Sequence, residues 1–222
     1  MRNRISLVLI AATVAFTAVI YGRLPDRVAT HFGVNGPDAW SSRAAGAWLV
    51  PAIAVGIFVL LQLLPRIDPR RANYAKFQDT YDTVVLAVVA VMVMTQIGIL
   101  GSALGWPVGI QSIVPLAVGG LFVVIGNVMP RARPNWFFGI RTPWTLSNDV
   151  VWERTHRVGG YLMMLAGVLL MTLSFLRSPE ATYAVIAAIG VLTLGTIPYS
   201  YFVWRKVVGP IAPGTPPIDR DP

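Results

Sequence analysis

The chain has 222 residues, with 18 Lys and Arg against 10 Asp and Glu and a formal charge of +8. Only 13% of its residues are charged, about half the share of an ordinary soluble domain, while 55% are hydrophobic and the mean hydropathy is +0.63. This excludes a soluble nucleic-acid binder, whose charge needs a polar surface to sit on. The absence of cysteine excludes a disulfide framework, a thiolate metal site and a cysteine nucleophile.

An all-α polytopic membrane protein is expected instead. A bilayer core about 30 Å thick needs roughly 20 apolar helical residues to cross it. Six stretches qualify in chain order: Ile5–Tyr21, Ala47–Leu64, Thr83–Leu104, Ile110–Met129, Val158–Leu176 and Thr182–Trp204. None holds Asp, Glu, Lys, Arg or His, the groups that pumps and ion-coupled transporters keep at membrane depth. Met1-Arg2-Asn3-Arg4 resembles the start of a signal peptide, but the apolar run is long and no A-x-A-like site closes it, so an uncleaved first helix is expected. Gly101 with Gly105, Gly119, Gly120 and Gly126, and Gly160 with Gly167 offer small-residue surfaces for packing inside one bundle.

Loop charges orient the bundle. With the N-terminus inside, Arg23, Arg27, Arg43 and Arg177 lie outside and the other fourteen basic residues lie inside, so the positive-inside rule puts both termini in the cytoplasm. The +8 charge is then mostly an orientation signal. Residues 1–105 form a three-helix half with a long extracytoplasmic loop at 22–46. Residues 106–208 form a second half with a long cytoplasmic loop at 130–157, and 209–222 is an extended tail with five prolines.

The outer loop opens on Leu24-Pro25 and carries Asn35-Gly36-Pro37-Asp38, a strong turn signal. His31 and Asp38 offer two metal donors where three or four are usual, and Phe32, Trp40 and Trp48 suit an interfacial belt. The inner loop is stiffened by Pro130, Pro134 and Pro143 and turned at Gly139. Thr145 or Ser147 is expected to cap the helix that follows, and Glu153 and Arg157 are spaced to pair at i, i+4. Glu153-x-x-His156 has the spacing of a di-iron element, but no second copy exists. Trp136, Trp144 and Trp152 are expected at the inner headgroup level, with Arg131, Arg133 and Arg141 facing anionic lipid.

Gly139-Ile-Arg141-Thr142-Pro143-Trp144-Thr145-Leu-Ser147, then Val151-Trp152 and Thr155-His156-Arg157, resembles the signature of the SdpI family of bacterial immunity proteins. Asn127, Pro130, Pro134 and Asn135 fit the same pattern. Pro25, His31, Phe32, Gly36, Asp38 and Trp40 resemble the small N-terminal domain of unknown function often fused to it. The resemblance implies a bacterial inner-membrane protein, with no cofactor or metal, that protects against a secreted peptide toxin. It also implies a toxin sensor that holds a cytosolic winged-helix repressor at the membrane, without touching nucleic acid itself. In that reading Arg141, Trp144 and Trp152 organise the inner loop, and Arg154 and Arg157 face a partner.

Two other readings compete with this one. A small transporter or lipid-handling protein fits a three-plus-three arrangement with helix-breaking prolines, and an intramembrane hydrolase would need a nucleophile with a base, or a metal.

Overall fold

The computed structural model describes residues 1–33, 36–107, 110–173, 175 and 179–209 of the chain. Among these, helices α1 (Arg2–Ile20), α2 (Arg43–Ile67), α3 (Gln78–Ala103) and α4 (Ile110–Val128) match the first four apolar stretches. Helices α1, α2 and α3 extend a few residues beyond the apolar limits because polar flanks continue the helical ladder, and α4 stops one residue short. The fifth stretch begins inside α6 (Asp149–Thr172), and its expected end at Leu176 lies outside the described residues. The sixth is two helices, α7 (Pro179–Leu194) and α8 (Thr196–Val208). Pro198 is the physical reason: it has no N–H for the carbonyl four residues back, and the ladder breaks at Gly195. Five segments are long and apolar enough to cross a membrane: α1, α2, α3, α4 and the span from Thr182 to Val208. Helix α6 differs because its first turns read Asp-Val-Val-Trp-Glu-Arg-Thr-His-Arg.

The all-α expectation has one exception. The outer loop folds into an antiparallel hairpin of β1 (Arg27–Gly33) and β2 (Gly36–Ser42), with a register shift on either side of His31. Leu24 and Val28 anchor it, the first against Ile20, Ala47 and Leu100, the second against Ile99 and Ile110. Arg43 closes its neck, with Nη2 donating to Asp26 Oδ1 at 2.6 Å. Helix α2 begins at the residue after β2 and ends at the residue before Asp68, so no linker separates it from either end structure.

Prolines inside α2 leave carbonyls without a helical donor, and α3 supplies donors for both. Pro51 frees the carbonyl of Ala47, which accepts from Gln96 Nε2 at 2.8 Å. Pro65 frees that of Leu61, which accepts from Tyr81 Oη at 2.7 Å. Gln96 is fully buried, and this polar group within an apolar span serves α2's backbone.

Helices α4 and α6 meet backbone to backbone. A Cβ on Gly126 would lie 2.5 Å from the Gly160 carbonyl oxygen, and one on Gly167 would lie 2.5 Å from that of Gly119. The pairs Gly119–Gly167 and Gly126–Gly160 are each seven residues apart along an antiparallel seam. In lipid, close approach of small residues replaces the hydrophobic drive of water. We expect Gly126→Ala and Gly160→Ala to cost about 1–3 kcal/mol. Gly120→Ala, where nothing lies within 4 Å, should leave thermal unfolding in detergent unchanged or raise its midpoint.

Candidate functional site

The hairpin sits at one end of the bundle. At the other end lie the start of α1, the turn Arg71–Lys76 and the signature loop. Arg2 Nη1 pairs with Asp79 Oδ1 at 2.9 Å, in the first turn of α3, which places the start of α1 beside that turn.

Asp68 organises this end. Only 2% exposed, its carboxylate accepts from the Arg70 backbone N–H at 2.7 Å, the Tyr74 hydroxyl at 3.0 Å and the Trp136 backbone N–H at 2.9 Å. Burial, then the hydrogen bond to Asp68, pushes the Tyr74 phenol above its ordinary range and keeps it a donor. Asn135 is the counterpart within the loop. Its Nδ2 donates to the carbonyls of Arg133 and Phe138 at 2.9 and 3.0 Å, and its Oδ1 accepts from the N–H groups of Phe137 and Phe138 at 3.0 and 2.6 Å. Phe138 then packs on Phe77 and Tyr81. Arg141 Nη1 donates to the Trp136 carbonyl at 2.8 Å, and Arg70 Nη2 to that of Leu146 at 3.0 Å. The loop is thereby fastened to the first half of the chain.

Within the Ile140–Thr145 stretch, Thr142 and Thr145 are buried while Arg141 and Pro143 are exposed. Thr142 caps the short helix α5 (Pro143–Ser147) and forms a capping box with Thr145, while Pro143 takes the first helical position. The Thr145 N–H reaches Thr142 Oγ1 at 3.2 Å. That hydroxyl meets Ser200 Oγ of α8 at 3.0 Å, which in turn donates to the Ile197 carbonyl at 2.6 Å. Trp144 packs edge-on against Tyr201 with centroids 5.2 Å apart. The expected caps Thr145 and Ser147 are thus corrected: Thr142 caps α5, and Asn148 caps α6 by accepting from the Val150 and Val151 N–H groups.

Trp152 is fully buried rather than an interfacial anchor. Its Nε1–H donates to the Ala132 carbonyl at 2.9 Å, and its ring stacks on His156 with centroids 3.9 Å apart. His156 Nε2 accepts from the Ile140 N–H at 2.9 Å, so Nδ1 carries the proton and gives it to the Trp152 carbonyl at 2.8 Å. Both ring nitrogens are engaged and none is left for a metal. Burial pushes the imidazole down to about 4. Gly139, at φ +109°, faces His156 Nε2 so closely that a side chain there would collide with the ring. Glu153 pairs with Arg133 Nη1 at 2.9 Å, not with Arg157, because the loop brings Arg133 across.

Of the expected signature residues, Pro134, Asn135, Thr142, Thr145, Trp152, Thr155 and His156 are buried, and Gly139 and Trp144 are half-buried. Asn127, Pro130, Arg141, Pro143 and Arg157 are exposed. A polar cleft of about 390 Å³ opens beside the loop, lined by Asn73, Lys76, Arg133, Pro134, Asp149 and Glu153. In the hairpin, His31 Nδ1 and Asp38 Oδ1 come within 2.5 Å, and no third donor for a metal joins them among the described residues. Phe32 packs beside Val28, buried Gly36 lies next to Gln111, and Pro25 and Trp40 are exposed. Asn35 lies outside the described residues. Sequence reading missed Tyr74, Asn148 and Ser200 and the structural role of Asp68. The Asp68-Pro69 dipeptide, which favours turn initiation, was the available signal.

Asp68→Asn cannot accept all three donors. It should lower stability by about 1–3 kcal/mol and raise hydrogen exchange at Trp136–Phe138, whereas Asp79→Asn should change neither. For His156, the folded-state value lies below the unfolded one of about 6.5, so between the two the unfolded chain binds more protons. Stability should therefore fall as pH drops from 6.5 toward about 4, by up to about 3 kcal/mol, and level off below that. Chemical denaturation across this range should show the slope in the wild type and lose it in His156→Gln.

The family model described as SdpI/YfhL protein family matches residues 131–200, and that of the domain of unknown function DUF1648 matches residues 8–55. The chain is 23% identical over 208 residues to "Immunity protein SdpI" of Bacillus subtilis (strain 168), covering 94% of this chain and 98% of that protein. No solved structure matches. Residues 131–200 thus match the SdpI/YfhL protein family and lie behind a segment that matches DUF1648.

Proposed function

We infer that this chain is an immunity protein of the bacterial inner membrane that gives resistance to a secreted antimicrobial peptide, and that it acts by binding rather than catalysis. The observation that carries this is the end-to-end likeness to an immunity protein. It is supported by a multi-pass bundle whose buried membrane-depth glutamine is committed to backbone. The same commitment weighs against the transporter reading, since both amide donors of Gln96 are taken, by the Ala47 carbonyl and Thr17 Oγ1.

In this reading the bundle crosses the membrane six times with both termini inside. The hairpin, with exposed Trp40 and the His31–Asp38 pair, meets the peptide outside. The signature loop, with exposed Arg141 and Pro143 and the cleft at Arg133 and Pro134, meets a cytosolic repressor inside. The buried signature residues hold that surface in shape.

Expression in a bacterium sensitive to an Sdp-type killing peptide should raise the peptide concentration needed to kill it. Trp40→Ala should lower that protection several-fold at unchanged protein level, and Arg141→Ala should abolish co-purification of the repressor while leaving protection. No protection by the wild type at normal membrane abundance would overturn the reading.

A further inference from the structure

The exposed side of α6 forms a single stripe. Val150, Arg154, Arg157, Tyr161, Leu165 and Val168 follow one another at three- and four-residue steps, and each is exposed. The opposite sides of the helix are taken by α4, through Gly160 and Gly167, and by Thr196 of α8, against Gly159. Over about 21 Å of helix rise the stripe passes from two guanidinium groups through a tyrosine 63% exposed to Leu165 at 49% and Val168 at 53%. That order is cationic, then amphipathic aromatic, then aliphatic, the profile of a leaflet from headgroup to acyl chain. Neither arginine has a hydrogen bond or ion pair among the described residues, and the acid spaced to neutralise Arg157, Glu153, is held by Arg133 at 2.9 Å.

We propose that Arg154 and Arg157 bind the phosphodiester of an anionic phospholipid in the leaflet at the signature-loop end, with Tyr161 beside its glycerol and Leu165 and Val168 along its acyl chain. Two guanidinium groups one turn apart present paired donors to phosphate oxygens. The site thus assigns to lipid two arginines that the sequence alone offers to a protein partner, and it goes beyond the immunity reading without depending on it.

The full chain, purified in neutral detergent, is titrated with phosphatidylglycerol or phosphatidylcholine and bound lipid is counted by native mass spectrometry. Phosphatidylglycerol should bind at the lower concentration. R154Q/R157Q should weaken its binding by roughly 30-fold, about 5-fold for each arginine, and leave phosphatidylcholine binding unchanged. R154K/R157K should recover most of the affinity, and R71Q, an exposed arginine off the stripe, should have no effect. Equal melting temperatures in lipid-free detergent establish that the variants fold. Wild-type phosphatidylglycerol binding in R154Q/R157Q overturns the proposal, as does equal binding of the two lipids by the wild type. It is also overturned if inorganic phosphate alone stabilises the protein as much as phosphatidylglycerol does, or if R154Q/R157Q keeps lipid but loses a cytosolic protein partner.

Discussion

Asp68 takes hydrogen bonds from its own turn at Arg70, from the following turn at Tyr74 and from the signature loop at Trp136, and it does so out of contact with water. A buried carboxylate is costly unless its acceptor sites are filled, and here the donors come from segments up to 68 residues apart. Without that carboxylate, the Trp136 N–H and the Tyr74 hydroxyl would each need another acceptor. The aromatic cluster of Tyr74, Phe77, Tyr81 and Phe138, the Asn135 turn and the Arg141 contact all assemble around it. The signature segment is therefore a folded plug braced by the other half of the chain.

The same accounting explains how a bundle rich in proline and glycine holds together. Each α2 carbonyl deprived of its helical donor by proline is met by a named α3 side chain, and each close α4–α6 approach is permitted by a missing Cβ. In water such features would be weaknesses. Within lipid, satisfied backbone groups and close contact are the main resources for association. The two families of contact use opposite means, added donors in the first half and absent side chains in the second.

Much of this was legible in the sequence. Apolar length located the helices, because no other short-range pattern keeps 17 or more residues free of charge, and the tryptophan- and proline-bearing loop marked the segment that distinguishes the chain. What was not legible depends on tertiary partners. Trp152 and His156 look like interfacial and titratable groups until the Ala132 carbonyl and Ile140 N–H are brought to them. Glu153 had a local partner in Arg157, and a distant one won because the loop carries Arg133 across. Thr142 outcompeted Thr145 and Ser147 as a cap because Pro143, at the first helical position, fixes the start one residue after it. The hairpin escaped because its strands are short and its turn residues read equally well as loop.

Helix α2 joins β2 with no intervening residue and passes directly into Asp68. Its 25 residues make a strut about 37 Å long, with no slack where a load could dissipate. A tilt of the hairpin end is therefore a displacement of the carboxylate end unless the helix bends, and its two prolines, each tied to α3 through a freed carbonyl, mark where bending is cheapest. The hairpin and the signature-loop end of this protein are consequently the two ends of one mechanical member.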